Sequence, residues 1–219
     1  MAIVVGVVSQ KGGVGKSTVA RMVAREYAAG GWDVKLADLD SAQGTSMRWQ
    51  SRRLREGVEP KLSVEQFQTV SQALRDEPRF DLLVFDGAPH SSEMTREIAR
   101  VAHLVVLPTG LAVDDLEPTV LLANELVGRG IDSEKIAFAL CRVGESELEF
   151  AEARRYVDRA GYILLKGMIP EKTGYRRASD RGRAVTETRF ASLNRRAEEL
   201  AQSIVDLADV RYRAIQGAA

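Results

Sequence analysis

The run Val7-Val8-Ser9-Gln10-Lys11-Gly12-Gly13-Val14-Gly15-Lys16-Ser17-Thr18 decides the fold. Its end, Gly15-Lys16-Ser17, completes the phosphate-loop pattern G-x-x-x-x-G-K-[ST], in which backbone N–H groups and a lysine cradle phosphate oxygens. The first glycine of that pattern would stand at position 10, where the chain has Gln10, and a second lysine, Lys11, follows it. Gly12, Gly13 and Gly15 allow the tight turn that aims N–H groups at an anion. An apolar strand, Val4–Val8, precedes the loop and a helix-period segment, Lys16–Ala29, follows it, which is the context the motif requires. The helix adds the positive end of its dipole. Lys16 is placed for β- and γ-phosphates, the Ser17 hydroxyl for Mg²⁺ and Thr18 for an α-phosphate. A dinucleotide-fold reading of Gly13-x-Gly15 fails, because its third glycine would fall at Thr18.

Outward from this loop, apolar runs at Asp33–Ala37, Leu82–Phe85, Leu104–Leu107, Lys135–Cys141 and Tyr162–Leu165 read as strands. Glu117–Val127, Glu147–Arg159 and Asn194–Val210 read as helices. The alternation predicts an α/β fold: one P-loop domain over 1–219, with a mostly parallel, twisted sheet, helices on both faces and the final helix packed on it. Ligands of such sheets sit outside the carboxyl ends of the strands, so loops 9–16, 38–46, 86–92 and 108–115 are expected on one rim. Asp38, Asp40 and Asp86 then arrive there from strand ends.

Composition narrows the alternatives. The chain has 219 residues, and its 31 basic and 31 acidic residues balance, so any binding of nucleic acid must come from a local patch. A single cysteine, Cys141, excludes an intramolecular disulfide and fits a reducing cytoplasm. The apolar start, Ala2–Val8, is too short to span a membrane and lacks the basic start of a signal peptide. Of the two histidines, His90 is expected at the surface or hydrogen-bonded, and His103 carries no functional signal.

Lys11-Gly12-Gly13-Val14-Gly15-Lys16-Ser17-Thr18 resembles the deviant Walker A motif of the ParA/MinD family of P-loop ATPases. The resemblance implies that Lys11 is the signature lysine, which crosses a dimer interface to the partner subunit's ATP. It makes Lys11, Lys16 and Asp40 the catalytic set, and the loop Lys11–Thr18 the nucleotide site, Val14 included. Asp38-Leu39-Asp40 is similar to the family's Walker A′ pattern: Asp40 would position or deprotonate the attacking water, and Asp38 would support Mg²⁺ and the loop. Ser41-Ala42-Gln43 departs from the family's Pro-Gln, with one extra residue. Phe85-Asp86-Gly87-Ala88-Pro89 resembles Walker B, with Asp86 holding Mg²⁺ through water. Pro108 and Asp115 match the segment that relatives use at the dimer face.

Further on, Pro170, Ala178, Gly182, Val185 and Glu187 fall in register with a later family segment, in which the proline loop packs on adenine. Lys172, Arg176, Arg177, Arg181, Arg183, Arg189, Arg195 and Arg196 face only Asp180 and Glu187 within their stretch, a local excess of six positive charges. The resemblance implies non-specific DNA binding by an ATP-bound homodimer through this region, with Lys172, Arg176, Arg177, Arg181, Arg195 and Arg196 as contacts. A second basic run, Arg48 to Arg55, is expected to edge a surface helix. The implied protein is cytoplasmic and nucleoid-associated when ATP-bound. A ParB-like or cargo-adaptor partner would stimulate its slow hydrolysis and so position or segregate a cargo.

Three relatives by fold fit less well. A MinD-like membrane switch needs a bulky amphipathic tail, and Arg211–Ala219 has no Trp, Phe or Leu, so no membrane partner is expected. A nitrogenase-iron-protein-like reductase needs paired cysteines. A biosynthetic ligase of the dethiobiotin-synthetase type shares the loop but generally lacks the signature lysine. With the first strand at the very start, no operator-reading domain is expected ahead of it.

Overall fold

The computed structural model describes residues 1–89 and 92–217; His90 lies outside them. Among the described residues eight strands and eight α-helices follow in the order β1 (Ile3–Val7), α1 (Lys16–Ala29), β2 (Val34–Asp38), α2 (Thr45–Arg55), β3 (Ser63–Gln66), α3 (Val70–Leu74), β4 (Leu82–Asp86), α4 (Ser92–Val101), β5 (Leu104–Thr109), α5 (Val113–Gly128), β6 (Ile136–Val143), α6 (Glu147–Arg159), β7 (Ile163–Leu164), β8 (Ile169–Pro170), α7 (Thr173–Ser179) and α8 (Ala191–Gln216). Seven strands run in the order β3-β2-β4-β1-β5-β6-β7, and β8 pairs with β6. Every pairing is parallel. Parallel sheets are covered on both faces, which is why β1, β2, β4 and β5 are buried throughout.

Alternation along β1 divides the core. Ile3, Val5 and Val7 point to the side covered by α1 and α8, where Val19, Met22, Val23, Leu200 and Ile204 pack. Val4 and Val8 point to the opposite side, against Ile98 of α4, Leu122 and Leu126 of α5 and Val157 of α6. Strand register fixes the functional edge. Val7 and Asp38 both stand opposite Asp86, so the phosphate loop and both carboxylates leave the sheet at one level.

Two strands escape the hydrophobic pattern. The edge strand β3, Ser63-Val64-Glu65-Gln66, is half-exposed and mostly polar, and β8 is two residues long. Helices α3, α4 and α7 also went unpredicted, and α8 begins three residues earlier and ends six later than its apolar period indicates.

His103 is structural. Its Nδ1 accepts the Val4 N–H at 2.9 Å, which requires the neutral imidazole, and burial followed by the Lys135 charge lowers its pKa. The unfolded chain therefore takes up this proton first. The contribution is fully present above the ordinary value of 6.5 and is lost as pH falls through it. In urea titrations, His103→Asn, whose side-chain oxygen can accept the same N–H, is expected to be less acid-sensitive between pH 7.5 and 5.5 than the parent. Equal pH slopes would refute this role.

Candidate functional site

The loop after β1 closes on α1 through Gly15, which caps the helix with φ of 105°. A side chain there would be strained, and its Cβ would sit 3.0 Å from the Cys141 Cβ on β6. The thiol beneath is buried and its pKa is pushed up to about 12, so it is packing and not a nucleophile. No acidic residue occupies the first turn of α1, which leaves its N–H groups open to an anion. Lys16 folds back over the loop, its Nζ donating to the Lys11 carbonyl at 2.9 Å. Burial lowers its pKa, partly opposed by Asp86 and Asp40. A cation held this way gains when phosphate replaces the carbonyl.

Asp86, at the end of β4, is buried, and its pKa is pushed up to about 6, first by loss of solvent. Oδ2 accepts the Ser46 hydroxyl at 2.7 Å, while Oδ1 has no partner among the described residues. The nearby Ser17 hydroxyl is among the groups that oppose this rise. An orphaned carboxylate oxygen beside a serine hydroxyl suits a hydrated Mg²⁺. No cluster of three or more acidic, histidine or cysteine side chains able to hold a metal occurs among the described residues, so the donor set fits a cation that arrives on phosphates.

Asp38 is fully buried and its oxygens are already engaged: Oδ1 accepts from the Asp40 N–H, and Oδ2 from those of Ser46 and Met47. It anchors the start of α2 and does not line the cleft. Asp40 does line it. The extra residue in Ser41-Ala42-Gln43 is absorbed as a turn: Asp40 Oδ1 accepts the Gln43 N–H at 3.0 Å, and its carbonyl accepts that of Gly44 at 2.7 Å.

The cleft encloses about 500 Å³, within the range of small-molecule sites. Gly12, Gly13, Gly15, Lys16, Ser17 and Thr18 line it together with Ile169, Pro170 and Tyr175. Lys11 is different. It is absent from the cleft lining, and its half-exposed ammonium reaches across to α5, meeting Asp115 Oδ1 at 2.8 Å and the Asp114 carbonyl at 2.6 Å.

Several residues of the site left no motif in the sequence. Arg142, at φ of 58°, donates to the Gly13 carbonyl at 2.6 Å and to Glu171 at 2.9 Å, tying the phosphate loop to the Pro170 loop. Arg21, one helical turn after Ser17, is buried beside Asp86 and Ser46. An unexpected arginine on α1 could have been found as a polar residue on the buried face of that helix.

The basic stretch is less free than its own residues suggest. Glu145 and Glu171 lie just outside it: Glu145 pairs with Lys172 and Arg196, and Glu171 with Arg176 and Arg142. Arg177, Arg181 and Arg195 are exposed and make no ion pair among the described residues. Arg177 and Arg181, with Arg183 and Arg189, line a second cleft of about 310 Å³. The Arg48–Arg55 run does form helix α2, but Arg53 is not at its surface. It is fully buried, bridges both oxygens of Glu187 and donates to the Pro60 and Gly182 carbonyls. A Cβ on Gly182, which has φ of 68°, would fall 2.1 Å from the Arg53 backbone nitrogen. Helix α2 is therefore pressed against the C-terminal segment, and its arginine is consumed by that contact.

Comparison with curated proteins finds no match. Among solved structures, MinD of Pyrococcus horikoshii in complex with Mg-ADP is 18% identical, with a TM-score of 0.73 over 96% of this chain and 99% of that one. A plasmid-partition-type protein of Borrelia burgdorferi B31 bound to AMPPNP is 14% identical, with a TM-score of 0.70 over 94% and 99%. An ATP complex of McdA from Cyanothece is 13% identical, with a TM-score of 0.69 over 93% and 96%. At such identities these likenesses speak for the fold. The family model described as the CobQ/CobB/MinD/ParA nucleotide binding domain matches residues 5–186, and the chain belongs to that family.

Proposed function

We propose that the chain is a ParA-type ATPase that pairs around two ATP molecules, binds DNA without sequence preference in that state, and releases it after partner-stimulated hydrolysis. The carrying observation is the division of labour between the two loop lysines. Lys16 fills its own cleft, whereas Lys11 stands outside it on the α5 rim with its ammonium half-exposed. A cation so placed serves an anion brought by a second subunit better than one bound in its own.

In this reading the loop N–H groups and Lys16 bind the phosphates, and Thr18 and Pro170 orient the two ends of the nucleotide. Ser17, Asp86 and Asp40 would hold Mg²⁺, which would supply positive charge against that developing on the transferred phosphoryl oxygens. Asp40 orients the attacking water and takes its proton as ATP and water become ADP and phosphate. Asp38 holds the loop through the start of α2. The exposed arginines 177, 181 and 195 are the preferred DNA contacts, since Lys172, Arg176 and Arg196 would first leave Glu145 or Glu171. A ParB-like or adaptor protein and a cargo complete the cycle. No described helix is long and apolar enough to cross a membrane.

Co-sedimentation with DNA tests the whole reading, using the parent protein and Asp40→Ala with ATP, ADP or no nucleotide across a salt series. Binding is expected only with ATP and should weaken steeply with salt. Asp40→Ala should hydrolyse at least about 100-fold more slowly and stay on DNA. Nucleotide-independent binding, or normal turnover in Asp40→Ala, would remove the proposal.

A further inference from the structure

The wall of the cleft holds a permanent cation that the phosphate-loop motif does not call for. Arg21 sits on α1 four residues after Ser17, so both side chains share one helical face. Its residue exposure is 5%, and it lines the cleft. Nε donates to the Ser46 hydroxyl at 3.0 Å, and that hydroxyl donates to Asp86 Oδ2 at 2.7 Å. The guanidinium carbon lies 5.5 Å from the centre of the Trp49 ring. Nη2 is buried with no partner among the described residues, and so is Asp86 Oδ1. Two opposite, incompletely satisfied, buried charges thus lie beside the place that Ser17 and Asp86 offer to a metal. Guanidinium stays protonated at any working pH, so this charge is fixed.

We infer that Arg21 is a positioning residue that supplies part of the positive charge otherwise demanded of Mg²⁺, and so flattens the metal dependence of nucleotide binding. The inference rests on the nucleotide reading of the cleft. A triphosphate entering without metal meets the charges of Asp40 and Asp86, which Lys16 alone does not cancel. Arg21 offsets one of them and, through Ser46, keeps the Asp86 carboxylate turned inward. The same fixed charge repels free Mg²⁺ from the empty cleft.

The test is the ratio of nucleotide dissociation constants in EDTA and in Mg²⁺, measured with a fluorescent ATP analogue. A fixed charge a few ångströms from the site predicts a ratio at least about tenfold larger in Arg21→Met than in the parent. Arg21→Lys, which keeps the charge, should stay near the parental ratio. Damage to packing alone would weaken binding in both conditions and leave the ratio unchanged, and that result overturns the inference. So does an equal rise in both variants. Failure of the parent to bind nucleotide even with Mg²⁺ would instead strike at the nucleotide reading itself. A second measurement needs no variant: without nucleotide, millimolar Mg²⁺ at constant ionic strength should leave the melting temperature of the parent unchanged. A Mg²⁺-dependent rise would show a site that Arg21 does not guard.

Discussion

Lys16→Ala is expected to lower ATP affinity by roughly 100- to 1,000-fold, the equivalent of about 3–4 kcal/mol for charge-assisted contacts to two phosphates. The argument is geometric. Lys16 is the lysine at the phosphate loop of the cleft, held over that loop by the Lys11 carbonyl and depressed in pKa by its burial, whereas Lys172, which also lines the cleft, is paired with Glu145. Burying that charge costs stability when no anion is bound, so the variant should melt no lower than the parent without nucleotide. Isothermal titration with ATP and Mg²⁺, run beside a thermal melt, separates loss of the site from loss of the fold. Retained affinity would show that the loop N–H groups and Arg21 suffice without this lysine.

Lys11→Ala should produce a different phenotype. Because Lys11 does not line its own cleft, a single subunit is expected to bind nucleotide within about threefold of the parent. ATP-driven pairing should be lost, since removing one partner of a buried, hydrogen-bonded charge pair costs about 2–5 kcal/mol at an interface. The pair with Asp115 that disappears in the monomer is half-exposed and worth at most about 1 kcal/mol, so folding should be nearly unaffected. Light scattering with ATP and with ADP reads the outcome. Undiminished pairing would return Lys11 to an ordinary surface role and remove the dimer from the account.

What the sequence made legible was whatever is written locally. The largely apolar strands β1, β2, β4, β5 and β6, the glycine-rich turn and the strand-end aspartates all declare themselves within ten residues. What it hid depends on distant partners. Strand β3 carries its polar residues because it is a half-exposed edge, and no periodicity marks it. Counting charges between Lys172 and Arg196 missed Glu145 and Glu171, which the fold returns to the same surface. Arg53 reads as one more member of a basic run until Glu187, far along the chain, closes on it. Residue type alone does not separate Asp38 from Asp40, which the sequence distinguishes only through the family resemblance. Only the start of α2, with its two N–H groups on Asp38, makes one an anchor and leaves the other on the cleft.

The resting contact between Lys11 and α5 carries a thermodynamic consequence for any cycle this protein runs. Its ammonium starts out engaged, so on the proposed reading association would exchange one anion for another, and only the surplus would drive it. The half-exposed resting pair subtracts at most about 1 kcal/mol from that surplus. Once the facing nucleotide lost its terminal phosphate, Asp115 would be there to reclaim the cation, which favours separation.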